Sequence, residues 1–581
     1  MSFHRMQKLA AGTPRGASPS ACLDELAKIA EAGGFWRKLP PGHEGHDQAG
    51  SPTRGRTWVA KNLMRPEITP MKHQADFSEA AKKQLGRKGG GGIIAAHGTG
   101  TGKTLSAINT FEEMKGEGKA RRALVVTPAG LRQNFLAKGI QKFTTSKGVI
   151  MAQPGDVADN VDYVVVSYAA FRAKPEEWLA MVKPDTLIVD EVQRAGNMDS
   201  KTYKSLAWAR ERVPHFMGLT ASISQNTPAD VVPMLALAEK GEQQIKTKKE
   251  FTRRHIKKEP SEQKSVFGNT TYEKRLVRQG ELNARVGATI HYVEDLDASK
   301  KPVKSVEKVH VKMSKEQMKL YRMSMKGVDP VILKKIQEGK EVSQHQAMNI
   351  FTMLMRARQV SNSLHLATPN MTPAQAAEAT PKIKQIMDDA ASHIADTPDA
   401  QIIMYTNLVH GGVDVLEAGL KARGVKYGIF AGKRKGITEE SRQAAVTDYL
   451  DGKNKVIIIT GAGAEGLSLG NTTMVQLVDG HYNPERMAQA EARGIRAGGL
   501  SHRPQEERKV AVKRYVSSLP KTFWQSVTFR PASKSVGEFV YLTAERKDRL
   551  NRQLRDVLQK RSDHEGRKRN SAAYRLLGGG P

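Results

Sequence analysis

The stretch Gly91-Gly-Ile-Ile-Ala-Ala-His97-Gly-Thr-Gly-Thr-Gly-Lys103-Thr104, running on into Leu105-Ser-Ala-Ile-Asn-Thr-Phe-Glu-Glu-Met114, decides the fold class. A short apolar run bounded by glycine reads as a strand buried on both faces, and the segment after Lys103 reads as a helix. Between them lies a turn of glycine and threonine. Strand, glycine loop and helix in that order form a phosphate cradle, because glycines let backbone amides curl round phosphate oxygens and the helix N-terminus adds partial positive charge. Lys103 is expected to reach the β and γ phosphates, and the Thr104 hydroxyl to ligate magnesium. Gly98, Gly100, Thr101 and Gly102 complete this cofactor-binding set. His97 stands where the strict GxxxxGK[ST] pattern has its first glycine.

Outward from this loop, ALVVTP, DYVVVSY, TLIVDE and HFMGLTAS are short apolar runs separated by helical stretches. They predict a doubly wound α/β unit with a parallel sheet. A second series, QIIMYTN, VKYGIFAG, KVIIITGAG, MVQLVDG and RKVAVKRYVSS, predicts another such unit. The run Thr186-Leu-Ile-Val-Asp190-Glu191 ends in paired acids at a strand's C-terminal edge, where such sheets present their ligands. Asp190 is expected to hold magnesium through water and Glu191 to polarise an attacking water as general base. The expected organisation is an extension over 1–61, a first lobe over 62–233, a helical insert and linker over 234–380, a second lobe over 381–519 and a basic helical tail over 520–581. The insert carries a strongly basic interval from Lys246 to Arg278, and the tail is dense in cations, among them Arg546, Lys547, Arg552 and Arg555.

Composition bounds the partners. With 581 residues the chain exceeds one ordinary domain, and 92 Lys plus Arg against 60 Asp plus Glu leave a formal charge of +32. Such an excess favours a polyanion, since cations near phosphates displace condensed counterions. No apolar run approaches the roughly 20 residues that span a bilayer, so no membrane partner is expected. The single cysteine, Cys22, excludes an internal disulfide framework and a multi-cysteine zinc site. The first residues lack the long apolar core of a secretory signal. A soluble, intracellular protein is expected.

The order of further motifs carries a resemblance. Met71-Lys-His-Gln74 precedes the phosphate loop; VVTPAGLRQNFLAKGIQKF spans Val125–Phe143; VVVSYAAF holds Ser167 and Tyr168; RAGNMDSKTYKSL holds Asn197 and Ser200. GLTAS, with Thr220 and Ser222, is followed by Gln225-Asn226, and GAGAEGLSLG spans Gly461–Gly470. VDGHYNPERMAQAEARGIRAGG carries Asp479, Asn483, Pro484, Gln489, Arg493 and Arg496. Over Met71–Val516 the chain resembles superfamily 2 helicase-like motors of the Swi/Snf type, which are ATP-dependent translocases on double-stranded DNA. The tail segment KSVGEFVYLTAERKDRLNRQL is similar to members encoded by phages and large DNA viruses.

The resemblance implies two RecA-like lobes with an ATP cleft between them. It makes Gln74 the adenine contact, places Pro128, Ser167, Tyr168 and Gly463 on nucleic acid, and puts Gly466 at the cofactor. It gives Gln193, Thr220, Ser222 and Gln489 to coupling. Gln193 stands where the family has His; it can hydrogen-bond to the coupling motif but cannot titrate. Arg493 and Arg496 are expected on one helical face, since residues three apart are neighbours, aimed at the γ-phosphate as catalytic groups beside Lys103, Asp190 and Glu191. ATP and Mg2+ are the implied cofactors and duplex DNA the implied partner. A polymerase, a repair protein or a virion protein are further possible partners, with the host cytoplasm or the virion as the place. The alternatives are a strand-separating DNA or RNA helicase, a transcription-associated ATPase, and an architectural protein with an inactive motor fold.

Overall fold

The computed structural model describes residues 64–65, 69–240, 246–264, 270–287, 289–294, 301–432, 437–461, 467, 469–496, 498–521, 525 and 532–576. The extension over 1–61 lies outside them. The chain opens with helix α1 (Lys72–Leu85), then β1 (Gly91–His97) and helix α2 (Lys103–Gly116). The remaining strands of the first lobe are β2 (Ala123–Thr127), β3 (Gly148–Ile150), β4 (Tyr163–Ser167), β5 (Thr186–Asp190) and β6 (His215–Thr220). Every residue of β1, β2, β4 and β5 is buried, as expected of apolar runs covered on both faces.

The interval 234–380, read from sequence as long polar helices, contributes four strands among its described residues. Ile256–Lys264 (β7) and Thr270–Leu276 (β8) pair antiparallel as a separate two-stranded hairpin inside the basic interval. Ile290–Val293 (β9) pairs with β1, and Val303–Lys312 (β10) pairs with the last strand of the second lobe. The hairpin escapes a sequence reading because its strands carry charge on both faces, so period-two apolar alternation is absent. In β10 most positions are exposed, as an edge strand allows.

The second lobe comprises β11 (Ile402–Thr406), β12 (Tyr427–Phe430), β13 (Val456–Thr460), β14 (Met474–Leu477) and β15 (Lys509–Ser518), with helix α3 (Pro484–Glu491) after β14. The two large sheets are parallel throughout. Their orders are β3-β4-β2-β5-β6-β1-β9 and β10-β15-β14-β11-β13-β12. Neighbouring strands in these orders are often not consecutive in the chain, so crossing helices cover both faces and the strand C-termini gather on one edge.

The cationic tail is also a packing element. Helix α4 (Val536–Leu576) buries Leu550, Leu554, Val557 and Leu558 in the first lobe's core and Tyr541 and Ala544 in the second lobe's core. Val536, Phe539 and Val540 enter a third cluster with Met313, Ile336 and Leu354. Burying such apolar side chains is worth about 1.5–3 kcal/mol each, more than an exposed cation contributes. Leu554→Ala is therefore expected to lower the unfolding free energy by about 2–5 kcal/mol, read from the denaturant midpoint at constant m-value.

Candidate active site

The phosphate loop takes its shape from two glycines and three side chains behind it. Gly100 and Gly102 have φ of +83° and +79°, the left-handed region that glycine enters at no steric cost. A Cβ on Gly102 would lie 2.5 Å from Gln74 Nε2. Gln74 is buried; its Nε2 donates to the Thr101 carbonyl at 3.3 Å, and its Oε1 accepts the Met71 N–H at 2.9 Å. His73 Nε2 donates to the same Thr101 carbonyl at 2.8 Å. Gln74 thus braces the loop with both polar ends and also lines the cleft beside it.

Gly98 serves packing. Its N–H donates to the Val293 carbonyl at 2.8 Å, and a Cβ there would stand 2.0 Å from the Glu294 carbonyl oxygen. The amide expected at a phosphate is thus spent on the close approach of β9. Thr101 is buried and donates its hydroxyl to the Gly98 carbonyl at 2.8 Å. His97 is fully buried, 2.9 Å from His291 Nδ1 through its Nε2 and edge-on to Phe77. Burial, then the neighbouring His291, His73 and Lys103, hold it well below the usual imidazole range. The side chain in the glycine position therefore packs beneath the loop as a neutral ring.

At the edge of β5 the acids form a strained turn. Glu191 has φ +54°, a left-handed conformation costing a non-glycine residue about 1–2 kcal/mol. The Tyr168 hydroxyl is close to two carbonyl oxygens of this turn, donating to that of Asp190 at 2.8 Å and lying 3.1 Å from that of Glu191. Gln193 Nε2 donates to Glu191 Oε2 at 2.5 Å, and Lys103 Nζ lies 3.6 Å from Glu191 Oε1. Asp190 Oδ2 accepts from the Thr127 hydroxyl at 3.0 Å, while buried Asp190 Oδ1 has no hydrogen-bond partner among the described residues. Burial, then the adjacent Glu191 charge, push the Asp190 carboxyl up to about 6. A desolvated carboxylate with one oxygen unanswered is suited to a cation.

The second lobe supplies the facing wall. Asn483 caps α3 by accepting the Glu485 N–H at 2.9 Å. Arg493 and Arg496, expected on a helical face, lie beyond the helix end at Glu491. The helix stops where Gly494 packs on Thr472, a Cβ there meeting Thr472 Cγ2 at 2.8 Å. The two arginines are gathered instead by one acceptor, the Leu467 carbonyl, at 3.3 Å from Arg493 Nη1 and 2.7 Å from Arg496 Nη2. A cleft of about 980 Å³ runs between the lobes, lined by Gly100, Gly102, Lys103, Thr104, Asp190 and Glu191 on one side and by Gln489, Arg493 and Arg496 on the other.

Other expected residues are placed differently. Gly463 and Gly466 lie outside the described residues. Pro128 is buried, and its exposed neighbours are Ala129 and Gly130. Ser167 caps the short helix Tyr168–Ala173, accepting the Ala170 N–H at 3.1 Å. Thr220 Oγ1 accepts the Ser222 N–H at 3.0 Å and donates to the Ser222 carbonyl at 2.7 Å, making a self-contained turn. Gln193 turns to Glu191, two residues away, where a bond to the coupling motif was expected. Sequence reasoning missed Thr127, His73 and Glu485. Thr127 was findable, as the last polar residue of the strand that pairs with β5.

Gly102→Ala tests the loop. Because it combines the left-handed φ with the Gln74 contact, it is expected to weaken nucleotide binding about tenfold in a titration with a fluorescent ATP analogue. Gly100→Ala has open space around its Cβ and should lose less.

Residues 83–366 match the SNF2-related domain and residues 383–498 the helicase conserved C-terminal domain. A protein of Acanthamoeba polyphaga mimivirus named as an ATP-dependent RNA helicase is 23% identical over 438 residues, 74% of this chain and 86% of its own length. The Bacillus subtilis ATP-dependent helicase YqhH is 24% identical over 451 residues, 75% of this chain and 74% of that protein. The Sulfolobus solfataricus SWI2/SNF2 ATPase core, solved in complex with dsDNA, is 18% identical, covers 85% of this chain and 98% of its own, and has a TM-score of 0.36. No described helix is long and apolar enough to cross a membrane. The chain is a helicase-like ATPase of the SNF2-related family, its first lobe falling in the SNF2-related domain and its second in the helicase C-terminal domain.

Proposed function

We propose that this ATPase is a motor that translocates along duplex DNA. The observation that carries the reading is the cleft, in which Lys103, Asp190 and Glu191 face Arg493 and Arg496 across the two lobes. Lys103 neutralises the β and γ phosphates, and the amides of the loop from Gly100 to Thr104 hold their oxygens. Magnesium fits the unanswered Asp190 Oδ1 and the Thr104 hydroxyl. When bound, it would supply charge neutralisation at the phosphates. Glu191, oriented by Gln193, accepts the proton of the attacking water. Arg496 and Arg493 stabilise charge on the departing phosphoryl group, an effect worth about 10³–10⁵ in rate in other phosphoryl-transfer systems.

Closing and reopening the cleft shifts one lobe against the other along the nucleic acid. Grip through phosphates makes the motion independent of sequence and steeply salt-sensitive. The SNF2-related match and the net charge of +32 support a duplex DNA track.

A second reading, strand separation, is favoured by the β7–β8 hairpin. Its register opposes Lys258 to Lys274 and Pro260 to Tyr272, and directly opposed residues share a face. The opposed pair Glu259 and Glu273 falls on the other face. Tyr272 is 66% exposed, a surface on which a nucleobase can stack.

Turnover of ATP with duplex DNA, single-stranded DNA and RNA separates the two readings. Duplex stimulation together with triplex displacement is the expected result; stimulation by single strands alone selects strand separation. Lys103→Ala and Glu191→Gln should each abolish stimulated turnover while nucleic-acid binding persists. Arg496→Ala should lower kcat by about 10³ or more with little change in ATP affinity.

A further inference from the structure

Along α4 three polar side chains interrupt the apolar stripe at four-residue spacing: Lys547, Asn551 and Arg555. Residues four apart share a helix face, so the three form one row. Lys547 Nζ donates to Asn226 Oδ1 of the first lobe at 3.0 Å and to the Tyr482 carbonyl of the second at 3.1 Å. Asn551, fully buried, donates its Nδ2 to the Ser224 carbonyl at 3.3 Å. Arg555 Nη1 lies 3.5 Å from Glu485 Oε1, its Nη2 lies 2.9 Å from Asp548, and its Nε lies 3.8 Å from Glu294.

The partners of this row are not scattered. Ser224 and Asn226 continue the turn made by Thr220 and Ser222 at the end of β6. Tyr482 and Glu485 flank the Asn483 cap from which α3 leads to Arg493 and Arg496. The Ser222 hydroxyl donates to the Ser224 carbonyl at 3.3 Å, so the turn and the residues that the row touches are one unit. One helix face therefore touches both the coupling turn of one lobe and the root of the arginine segment of the other.

We propose that the Lys547, Asn551 and Arg555 row of α4, with Glu485 as its counterpart, is the strut that positions Arg493 and Arg496 against the coupling turn. These are positioning residues, since none lies at the reacting phosphate; they act through the arginines. The inference rests on the ATP-driven reading of the cleft.

The electrostatics of the seam supply a readout. Burial raises the Glu485 carboxyl, Arg555 opposes this, and Asp548 adds to it, with the result pushed up to about 7. The groups facing it are Arg555, Asp548 and Glu545 from α4, Tyr292 from β9 with Glu294 just beyond it, Lys304 from β10, Glu491 from α3 and Arg514 from β15, with Ser222 close by. As pH rises through about 7, Glu485 ionises and its pair with Arg555 becomes a full charge pair. Positioning should therefore tighten with rising pH.

The test uses the full chain and nucleic-acid-stimulated ATP turnover. Arg555→Met keeps the aliphatic stem and removes the fork; it is expected to lower kcat about tenfold with KM for ATP changed less than twofold. Glu485→Gln should remove the limb in which wild-type kcat rises through about pH 7, leaving a flat profile there. Leu554→Ala, which weakens the same helix through packing alone, should keep that limb in its folded fraction. An unchanged kcat in Arg555→Met, a pH limb that persists in Glu485→Gln, or a kcat loss in Arg555→Met that follows melting temperature as in Leu554→Ala overturns the strut. Wild-type turnover that Lys103→Ala abolishes and Arg555→Met leaves intact sinks the strut alone, whereas absence of turnover in the wild type overturns the motor reading with it.

Discussion

The apolar stripe of α4 is shared among three hydrophobic cores, and that shared burial makes the two lobes facing walls of one cleft. Two parallel sheets can each fold around their own helices. Neither alone has a reason to present its strand ends to the other. A helix that buries Leu554 in one lobe and Tyr541 in the other supplies the reason, because separating the lobes would return that surface to water. The same helix carries its cations in two ways. Arg549, Arg552 and Lys560 are exposed, whereas Lys547 and Arg555 are held in the seam.

Within the cleft, one desolvated carboxylate sets the chemistry. Asp190 sits at the end of a fully buried strand with Thr127 on one oxygen and, among the described residues, no hydrogen-bond partner on the other. Its raised pKa measures the cost of ionising it there, and a cation beside it would offset that cost. Glu191 is handled differently. Its backbone is left-handed, and Gln193 and Lys103 hold the carboxylate in the cleft. Gln193 has a local task that needs a neutral donor, which accounts for an amide working where the family has an imidazole.

How much could be read without coordinates depended on whether a residue's task is local. The strands GGIIAAH, ALVVTP and TLIVDE were legible because burial on both faces leaves continuous apolar runs. The phosphate loop was legible because strand, glycines, lysine and helix are consecutive. The β7–β8 hairpin was not, since charged strands stabilised by pairing leave no hydrophobic period. Arg493 and Arg496 line the cleft, yet the helix expected to align them ends before they begin. Gly98 shows the same limit: it lies in a recognisable motif, but its amide and its face are committed to Val293 and Glu294.

The sequence by itself determined the two parallel-sheet lobes, the phosphate loop, the paired acids and the arginine segment, because each is encoded by neighbours along the chain whose spacing has one physical reading. Only the tertiary structure decided which strands of the interval 234–380 join which sheet, and that His97 packs against His291 beneath the loop. It also decided that a cationic tail is a spine through three cores. Those outcomes depend on contacts between residues as far apart as Ser224 and Asn551, or Glu485 and Arg555. No local pattern carries such pairings, because the burial that stabilises them exists only once both lobes are folded and α4 lies between them.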